Sequence, residues 1–376
     1  MKKILFVLPS LTLGGLEKVQ VTIANALAEN GYDVTVMTLE NRLDIKDELD
    51  ARVRLIYKPY KSHKIMKHIP YIRNRFYDDG MWETRATPKK LYKYYVGNEK
   101  YDIEIGFFRG LSVKIISGST NNRSRKLAWV HSDFKRCKGI SNNFKNFESA
   151  KLAYSKYDRI ICVSHQAMKS FNEVIGLSDK TAVIYNMLPT EYISAKSEEP
   201  IEIIKTKFTV LSVGHLIEAK GYDRLLEAVK LLNRDGFDFD LWLIGFGSDD
   251  DSLKKYAKEN DLSNVRFLGY QKNPYKYMQA ADLYVCSSRY EGFNLTVAEA
   301  LFLGKPVLST DCTGPREILS DGEYGMLVDN SIDGLYNGIL RLIKHPRLLD
   351  TYREKSVQRR PFFDKGSIVT KIEDLF

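Results

Sequence analysis

The segment Leu283–Ala300, LYVCSSRYEGFNLTVAEA, joins a short apolar run to a helical pattern through a turn that contains Gly292. An apolar run of four residues is typical of a buried strand, and the later apolar spacing is typical of an amphipathic helix. Glycine commonly marks the turn between two such elements. The segment therefore predicts one strand–turn–helix unit of an α/β fold.

The same alternation runs through the whole chain of 376 residues. It predicts strands such as Ile4–Leu8 and Phe208–Val213, and helices such as Leu16–Asn30 and His165–Ile175. Parallel strands joined by right-handed helical crossovers form a sheet that is covered on both faces. The fold class is therefore α/β, with two doubly wound, Rossmann-like domains.

The domain boundaries follow from composition. We expect a first domain at 1–190, a second at 191–360, and a C-terminal helix at 361–376 that can cross back to the first domain. Ligands bind beyond the carboxyl ends of the strands in α/β sheets. If the two sheets face each other, the active site lies in the cleft between them.

The positive charge is confined to the first half. Residues 1–190 hold 32 basic and 19 acidic residues, a net charge of +13, whereas residues 191–376 have a net charge of −4. A basic stretch with interleaved aromatic residues at about 58–95 predicts a helical insertion. Such a surface fits an anionic partner, which could be a membrane surface, a phospholipid or a nucleic acid. A basic module that binds nucleic acid or phospholipid without enzymatic activity is therefore one hypothesis.

Other classes of protein are excluded by composition. No apolar run reaches the roughly 20 residues that span a membrane, and the apolar start reads as a buried strand. The four cysteines lack zinc-binding spacing, which favours a reducing, cytoplasmic compartment. A dehydrogenase would need the glycine fingerprint G-x-G-x-x-G, which is missing from the first strand–helix turn.

Two turns carry residues suited to phosphate. Gly14-Gly15 follows the first predicted strand, and glycines there allow a phosphate or sugar to approach a helix start. Lys220 precedes a predicted helix and can place a point charge on a diphosphate. An ordinary turn and a surface lysine are the structural alternatives.

The two carboxylates of the opening segment flank a helix start. Glu291 lies in the turn, and Glu299 lies about one turn into the helix. Amides at a helix start hold phosphate, and carboxylates accept hydrogen bonds from sugar and ribose hydroxyls. The pattern suits a nucleotide sugar, unless both glutamates are merely exposed on the surface.

Together with LGKPVLSTDCTGPREIL at 303–319, the E-x7-E segment resembles retaining glycosyltransferases of family 4, which have the GT-B fold. The Gly14-Gly15 pair and VGHLIEAKG at 213–221 match as well. The resemblance implies a second domain that binds the nucleotide, a first domain that binds the acceptor, and no metal or other cofactor. It assigns Gly15 and Lys220 to the donor diphosphate and Glu299 to the ribose. The transferred sugar and its phosphate are assigned to Glu291, Gly292, Phe293, Asn294 and Leu295.

One position departs from the family pattern. His215 stands where the family usually has an arginine, and histidine loses its charge near neutral pH. Arg289 or Arg316 are candidates to share the diphosphate with Lys220 and His215. His131 follows a predicted strand of the first domain, where the family often has a histidine near the donor sugar, whereas an isolated histidine is more often structural.

The resemblance implies a retaining transferase. It would move a hexose or N-acetylhexosamine from a nucleotide-diphosphate sugar, most simply a UDP-sugar, to a glycan or lipid-linked acceptor in cell-surface polysaccharide or glycolipid synthesis. The catalytic candidates are His131 and Glu291. The predicted location is the cytoplasmic face of the plasma membrane, held peripherally through the basic first domain, with no nucleic acid as partner.

Overall fold

The chain folds into two compact units. The structure, a computed structural model, describes residues 1–59, 81–135 and 143–376. The first unit comprises Met1–Met187 and the C-terminal Gly366–Phe376, and the second comprises Leu188–Lys365.

A parallel sheet of seven strands forms the centre of the first unit, in the order β3-β2-β1-β4-β5-β6-β7. Its strands are β1 (Lys3–Leu8), β2 (Asp33–Thr38), β3 (Arg54–Tyr57), β4 (Ile103–Gly106), β5 (Arg125–Val130), β6 (Arg159–Cys162) and β7 (Thr181–Val183). The described helices are α1 (Gly15–Glu29), α2 (Met81–Arg85), α3 (Pro88–Tyr95), α4 (Leu111–Ser117), α5 (Phe147–Ser155) and α6 (His165–Ile175).

The second unit repeats the plan with a parallel sheet of six strands, in the order β10-β9-β8-β11-β12-β13. These strands are β8 (Thr209–Val213), β9 (Asp240–Ile244), β10 (Val265–Phe267), β11 (Leu283–Cys286), β12 (Val307–Thr310) and β13 (Met326–Val328). The helices are α7 (Thr190–Ser197), α8 (Tyr222–Arg234), α9 (Asp250–Glu259), α10 (Tyr275–Ala280), α11 (Leu295–Phe302), α12 (Thr313–Ile318), α13 (Ile332–Lys344) and α14 (Pro346–Arg359).

The central strands are buried on both faces, as expected for parallel sheets covered by helices. Residues 4–8 of β1 and the whole of β9 are buried. In the second unit, residues of α8 and α13 pack with those of the sheet in one hydrophobic core. The predicted α/β class with two Rossmann-like domains is therefore confirmed.

Two further sequence predictions concern the basic stretch at 58–95 and the C-terminal helix. Of the basic stretch at 58–95, residues 60–80 lie outside the described residues, and residues 81–95 form α2 and α3. The C-terminal helix α15 (Lys365–Glu373) clusters with the first unit, where Glu373 accepts a hydrogen bond from Asn30 at 2.9 Å. In the part of the chain that the structure describes, every helix is too short or too polar to cross a membrane.

Candidate active site

Each sheet reverses its strand order at one place, between β1 and β4 in the first unit and between β8 and β11 in the second. Connections that leave neighbouring strands at such a point turn to opposite faces of the sheet, and ligands bind in the crevice beyond the strand ends. Lys220 follows β8, and Glu291 follows β11. These two residues, which the sequence singled out in separate turns, therefore both lie at the switch point of the second unit.

Lys220 and Glu291 form an ion pair there, with 2.5 Å between Nζ and Oε1. The two side chains are only 25% and 12% exposed, respectively. Burial lowers the pKa of Lys220, but the charge and hydrogen bond of Glu291 outweigh it, so this pKa lies above its ordinary value. Lys220 is therefore a fixed cation that neutralises the carboxylate beside it.

The Glu291 carboxylate is held by two further side chains. Its Oε1 accepts hydrogen bonds from Ser288 Oγ at 2.7 Å and from Asn294 Nδ2 at 2.9 Å. Asn294 also caps α11, since its Oδ1 accepts from the backbone N–H of Val297 at 3.1 Å. Asn294 has a left-handed φ of 82°, which asparagine tolerates better than most residues. One side chain thus positions both Glu291 and the helix start.

Two glycines allow neighbouring backbones to approach the loop after β11. A Cβ on Gly221, where φ is +65°, would lie 2.2 Å from the Ser287 carbonyl oxygen. A Cβ on Gly314 would lie 2.2 Å from the Phe293 carbonyl oxygen. Both distances are far shorter than real Cβ contacts. The turn before α8 and the first turn of α12 therefore pack directly against the loop that carries Glu291.

Glu299 lies on the inner side of α11 and is only 9% exposed. Its Oε1 accepts a hydrogen bond from Tyr275 Oη at 3.0 Å. Tyr275 begins α10 and is also buried. The sequence did not indicate Tyr275, because its partner lies 24 residues further along the chain. Of the other positions predicted to hold the sugar, Leu295 begins α11, and Gly292 and Phe293 precede Asn294.

The two candidate arginines are each paired with carboxylates. Arg289 forms a bidentate pair with Asp223, at 2.8 and 2.6 Å. Arg316 donates from Nε to Asp311 at 2.8 Å and from Nη1 to Asp321 at 2.9 Å. Among the described residues, no group of three or more His, Cys, Asp or Glu side chains is placed so that it could hold a metal ion. Lys220 is thus the cation that lies closest to Glu291 among the sequence-predicted ones.

His215 lies in an exposed row of aromatic rings at the same sheet edge. Its ring centroid is 5.6 Å from that of Phe246, which is 6.0 Å from that of Tyr270. These three residues follow β8, β9 and β10, which are neighbours in the sheet. Phe246 and Tyr270 are 48% and 43% exposed, which is unusual for such large rings in a row. No local sequence pattern indicates this row, because its three rings follow three different strands.

His131 follows β5 in the first unit, one strand away from the switch point. Its Nε2 is 3.0 Å from the Phe107 carbonyl oxygen. A carbonyl only accepts, so Nε2 carries the proton and Nδ1 carries a lone pair. Nδ1 is buried, and within the described parts of the chain no group forms a hydrogen bond with it. Burial lowers the pKa of His131 to about 4, so the ring is neutral at physiological pH and offers an acceptor.

Gly15 is the first residue of α1, at the switch point of the first unit. The residue before it, Gly14, is extended, and its missing side chain leaves space for the Glu17 carboxylate, since a Cβ there would lie 2.1 Å from Glu17 Oε2. Glu17 is held in place by Thr12, whose Oγ1 donates to Oε1 at 3.0 Å. The glycine pair therefore allows an acidic side chain to fold over the helix start.

Comparison with known proteins extends over nearly the whole chain. An uncharacterised glycosyltransferase from Haemophilus influenzae is 26% identical over 366 residues, which is 95% of this chain and 94% of that protein. An N-acetylgalactosamine-N,N'-diacetylbacillosaminyl-diphospho-undecaprenol 4-alpha-N-acetylgalactosaminyltransferase from Campylobacter jejuni is 31% identical over 61% of this chain and 63% of its own length.

The fold matches that of solved glycosyltransferases. The crystal structure of Anabaena HepE in complex with UDP and glucose superposes with a TM-score of 0.75 at 18% identity, and covers 100% of this chain and 99% of that one. The model for Glycosyltransferase Family 4 matches residues 13–192, and the model for Glycosyl transferases group 1 matches residues 194–359. The two matches correspond to the two units, and the chain belongs to the family 4 glycosyltransferases.

Proposed function

We propose that this glycosyltransferase moves a hexose or N-acetylhexosamine from a UDP-sugar to a glycan or lipid-diphosphate-linked acceptor, with retention of configuration and without a metal. The observation that carries the proposal is the Lys220–Glu291 ion pair at the switch point of the second unit. A UDP-sugar presents a diphosphate next to a ring of hydroxyls. The pair offers a cation and a hydrogen-bond acceptor side by side, which matches both groups.

The diphosphate leaves from C1 of the sugar in this reaction. Lys220 and the amides at the start of α11, which helix geometry leaves without intrahelical partners, stabilise the negative charge that develops on the leaving phosphate. The bond from C1 to the phosphate oxygen breaks, and the acceptor oxygen bonds to C1 on the same face. The acceptor's proton passes to the departing phosphate oxygen. Glu291 orients the sugar and needs no covalent bond to it.

His131 acts as a neutral acceptor in this scheme. Because Nε2 donates to Phe107, Nδ1 carries the lone pair of the ring, and this lone pair is the acceptor that we assign to a sugar hydroxyl when the donor binds. The lowered pKa keeps the ring uncharged. A neutral ring adds no charge near the positive character that C1 gains when the phosphate leaves. His131 therefore orients the sugar without opposing the transition state.

The nucleoside is assigned to the remaining groups of the second unit. Glu299, held by Tyr275, accepts hydrogen bonds from the ribose hydroxyls. The exposed rings of His215, Phe246 and Tyr270 provide a surface for the base beside the diphosphate.

The acceptor belongs to cell-surface glycan synthesis in this proposal. The Campylobacter relative is named for transfer onto a diphospho-undecaprenol glycan, and an acceptor of that kind lies in a membrane. The enzyme then works at the cytoplasmic face of the plasma membrane, attached through its basic first unit. Five basic residues of the stretch at 58–95 lie outside the described residues: Lys61, Lys64, Lys67, Arg73 and Arg75.

The test is a thermal-shift screen with UDP-glucose, UDP-galactose and their N-acetyl forms, with and without EDTA. A ligand at a hundred-fold excess over its Kd adds about 2.7 kcal/mol to the stability of the folded state. One of these sugars should raise Tm, and EDTA should not change that shift. NMR of the product should show that the transferred sugar keeps the anomeric configuration of the donor. A product with the opposite anomeric configuration would refute retention. Transfer that EDTA abolishes would refute metal independence. Stabilisation by polynucleotides alone would favour a nucleic-acid-binding module.

Replacing Glu299 by alanine should weaken UDP binding by about 1–3 kcal/mol, because a buried acceptor of ribose hydrogen bonds is lost. Isothermal calorimetry with UDP measures the change directly. Tyr275→Phe is the matched control. It removes only the hydroxyl that holds Glu299 and should cause a smaller loss. Unchanged UDP affinity in Glu299→Ala would contradict the ribose assignment.

A further inference from the structure

Helix α3 in the first unit exposes lysines on one side. Lys89, Lys90 and Lys93 are exposed, whereas Leu91, Tyr92 and Tyr95 on the opposite side are buried. The ring of Tyr94, 43% exposed, packs edge-on against that of Trp82 in α2, with 5.3 Å between centroids. The outer side of α2 and α3 is therefore basic and aromatic.

Helix α5 has the same character. Leu152 is 61% exposed and Phe147 is 37% exposed, although both are apolar. Exposed lysines flank them at three positions, which are Lys145, Lys151 and Lys156. The opposite side of the helix buries Ala150, Ala153 and Tyr154. The outward face of α5 thus combines large apolar side chains with positive charge.

Helices α3 and α5 both pack against α4, whose buried lysine contacts the segments that precede them. Lys114 in α4 donates to the carbonyl oxygens of Glu83 at 2.7 Å and Thr84 at 2.8 Å, both in α2. It also donates at 2.7 Å to the carbonyl of Asn143, four residues before α5. One ammonium group therefore holds the end of α2 beside the entry to α5. We call the exposed sides of α3 and α5 together the basic face.

The two helices carry little negative charge. Between residues 85 and 95 there is no acidic residue, and between residues 145 and 156 there is only Glu148. Positive charge therefore dominates the exposed sides of α3 and α5.

We propose that the basic face is a docking surface for an anionic phospholipid bilayer. The proposal rests on the proposed function, in which a membrane holds the acceptor. Lysines attract anionic headgroups within a Debye length of roughly 8–10 Å. Aromatic and leucine side chains enter the boundary between headgroups and acyl chains. The exposed Leu152 and Phe147 favour a membrane over nucleic acid as the partner, because a bilayer buries apolar side chains and a charged phosphate backbone does not.

The experiment is co-sedimentation of the full chain with phosphatidylcholine vesicles, with and without phosphatidylglycerol, at low and high salt. We expect binding only to the anionic vesicles and weaker binding at high salt. Each lysine close to the surface strengthens binding by about five-fold. The variant Lys89→Gln/Lys90→Gln/Lys93→Gln should therefore bind roughly 100-fold more weakly. Phe147→Ser/Leu152→Ser should weaken binding without changing its salt dependence.

The matched control is Lys254→Gln/Lys255→Gln/Lys258→Gln, which removes the same charge from exposed positions of α9 in the second unit. It should retain vesicle binding, and an equal loss would overturn the proposal. A wild type that ignores anionic vesicles at low salt, or binds oligonucleotides instead, would also overturn it. UDP-sugar stabilisation is measured separately. Vesicle binding can therefore fail while the proposed function stands, or the reverse.

Discussion

Lys220→Ala is expected to lower kcat/KM by about 10²–10³-fold. In the folded protein the Lys220 ammonium is 2.5 Å from the Glu291 carboxylate, and both groups are largely buried. Alanine removes a preorganised partner of the leaving diphosphate, a type of loss that typically costs about 10²–10³-fold in rate. It also leaves the Glu291 charge facing the phosphates without compensation. Initial rates with the donor identified by thermal shift measure the effect.

A double-mutant cycle separates the two causes. If uncompensated Glu291 repels the diphosphate, Lys220→Ala/Glu291→Gln should bind UDP more tightly than Lys220→Ala alone. Contacting residues are expected to show such non-additivity. Lys230→Ala is the matched control, because Lys230 is 43% exposed and pairs with Glu227 at 3.5 Å. It should keep its activity within two-fold. A comparably small effect of Lys220→Ala would refute the phosphate assignment.

The elements were predictable where local signals were complete. The helix predicted at His165–Ile175 has the predicted limits, because Ser164 caps its first turn and Gly176 ends it in a left-handed conformation. Strand Leu283–Cys286 was likewise predicted with its observed ends. These signals lie within a few residues of the element. The order of the strands depends on contacts between distant segments, so it cannot be predicted from any local pattern.

The candidate site was predictable only in part for the same reason. Lys220 and Glu291 were singled out in separate turns, but their direct ion pair joins positions 71 residues apart. Arg289 was singled out by its charge, yet its bidentate bond to Asp223 depends on how α8 packs beside the loop. Charge at a strand end indicates a site, and only the fold determines which partner each charge meets.

Lys114 is the clearest residue that sequence reasoning missed. It lies among apolar residues of α4, where a lysine would be expected to face solvent. The side chain is instead buried, and its three hydrogen bonds go to backbone carbonyls about 30 residues away. Backbone carbonyls carry no sequence signature. No pattern of side chains could therefore have predicted this contact or the surface that it holds together.

Lys114→Met should destabilise the first unit by about 2–4 kcal/mol, because it leaves several buried carbonyls without a donor. Hydrogen exchange measured by mass spectrometry should show faster exchange in peptides of α2, α4 and the start of α5. Peptides of the second unit provide an internal reference. Lys169→Met changes an exposed lysine of α6 and should alter stability by less than about 0.5 kcal/mol. Equal stability of both variants would contradict the role of Lys114.

The pH dependence of the Lys114 effect has a definite sign. Burial lowers the pKa of Lys114 from 10.5 to about 8. Below pH 8 the folded and unfolded chains are both protonated at this site, and the folded state bears the full cost of the buried charge. Between about pH 8 and 10.5 the unfolded chain binds more protons, so the contribution of Lys114 to stability rises with pH. The difference in free energy of unfolding between the wild type and Lys114→Met should therefore change in favour of the wild type by up to about 3 kcal/mol across this range. A constant difference in urea titrations from pH 7 to 10 would show that the buried ammonium does not titrate there.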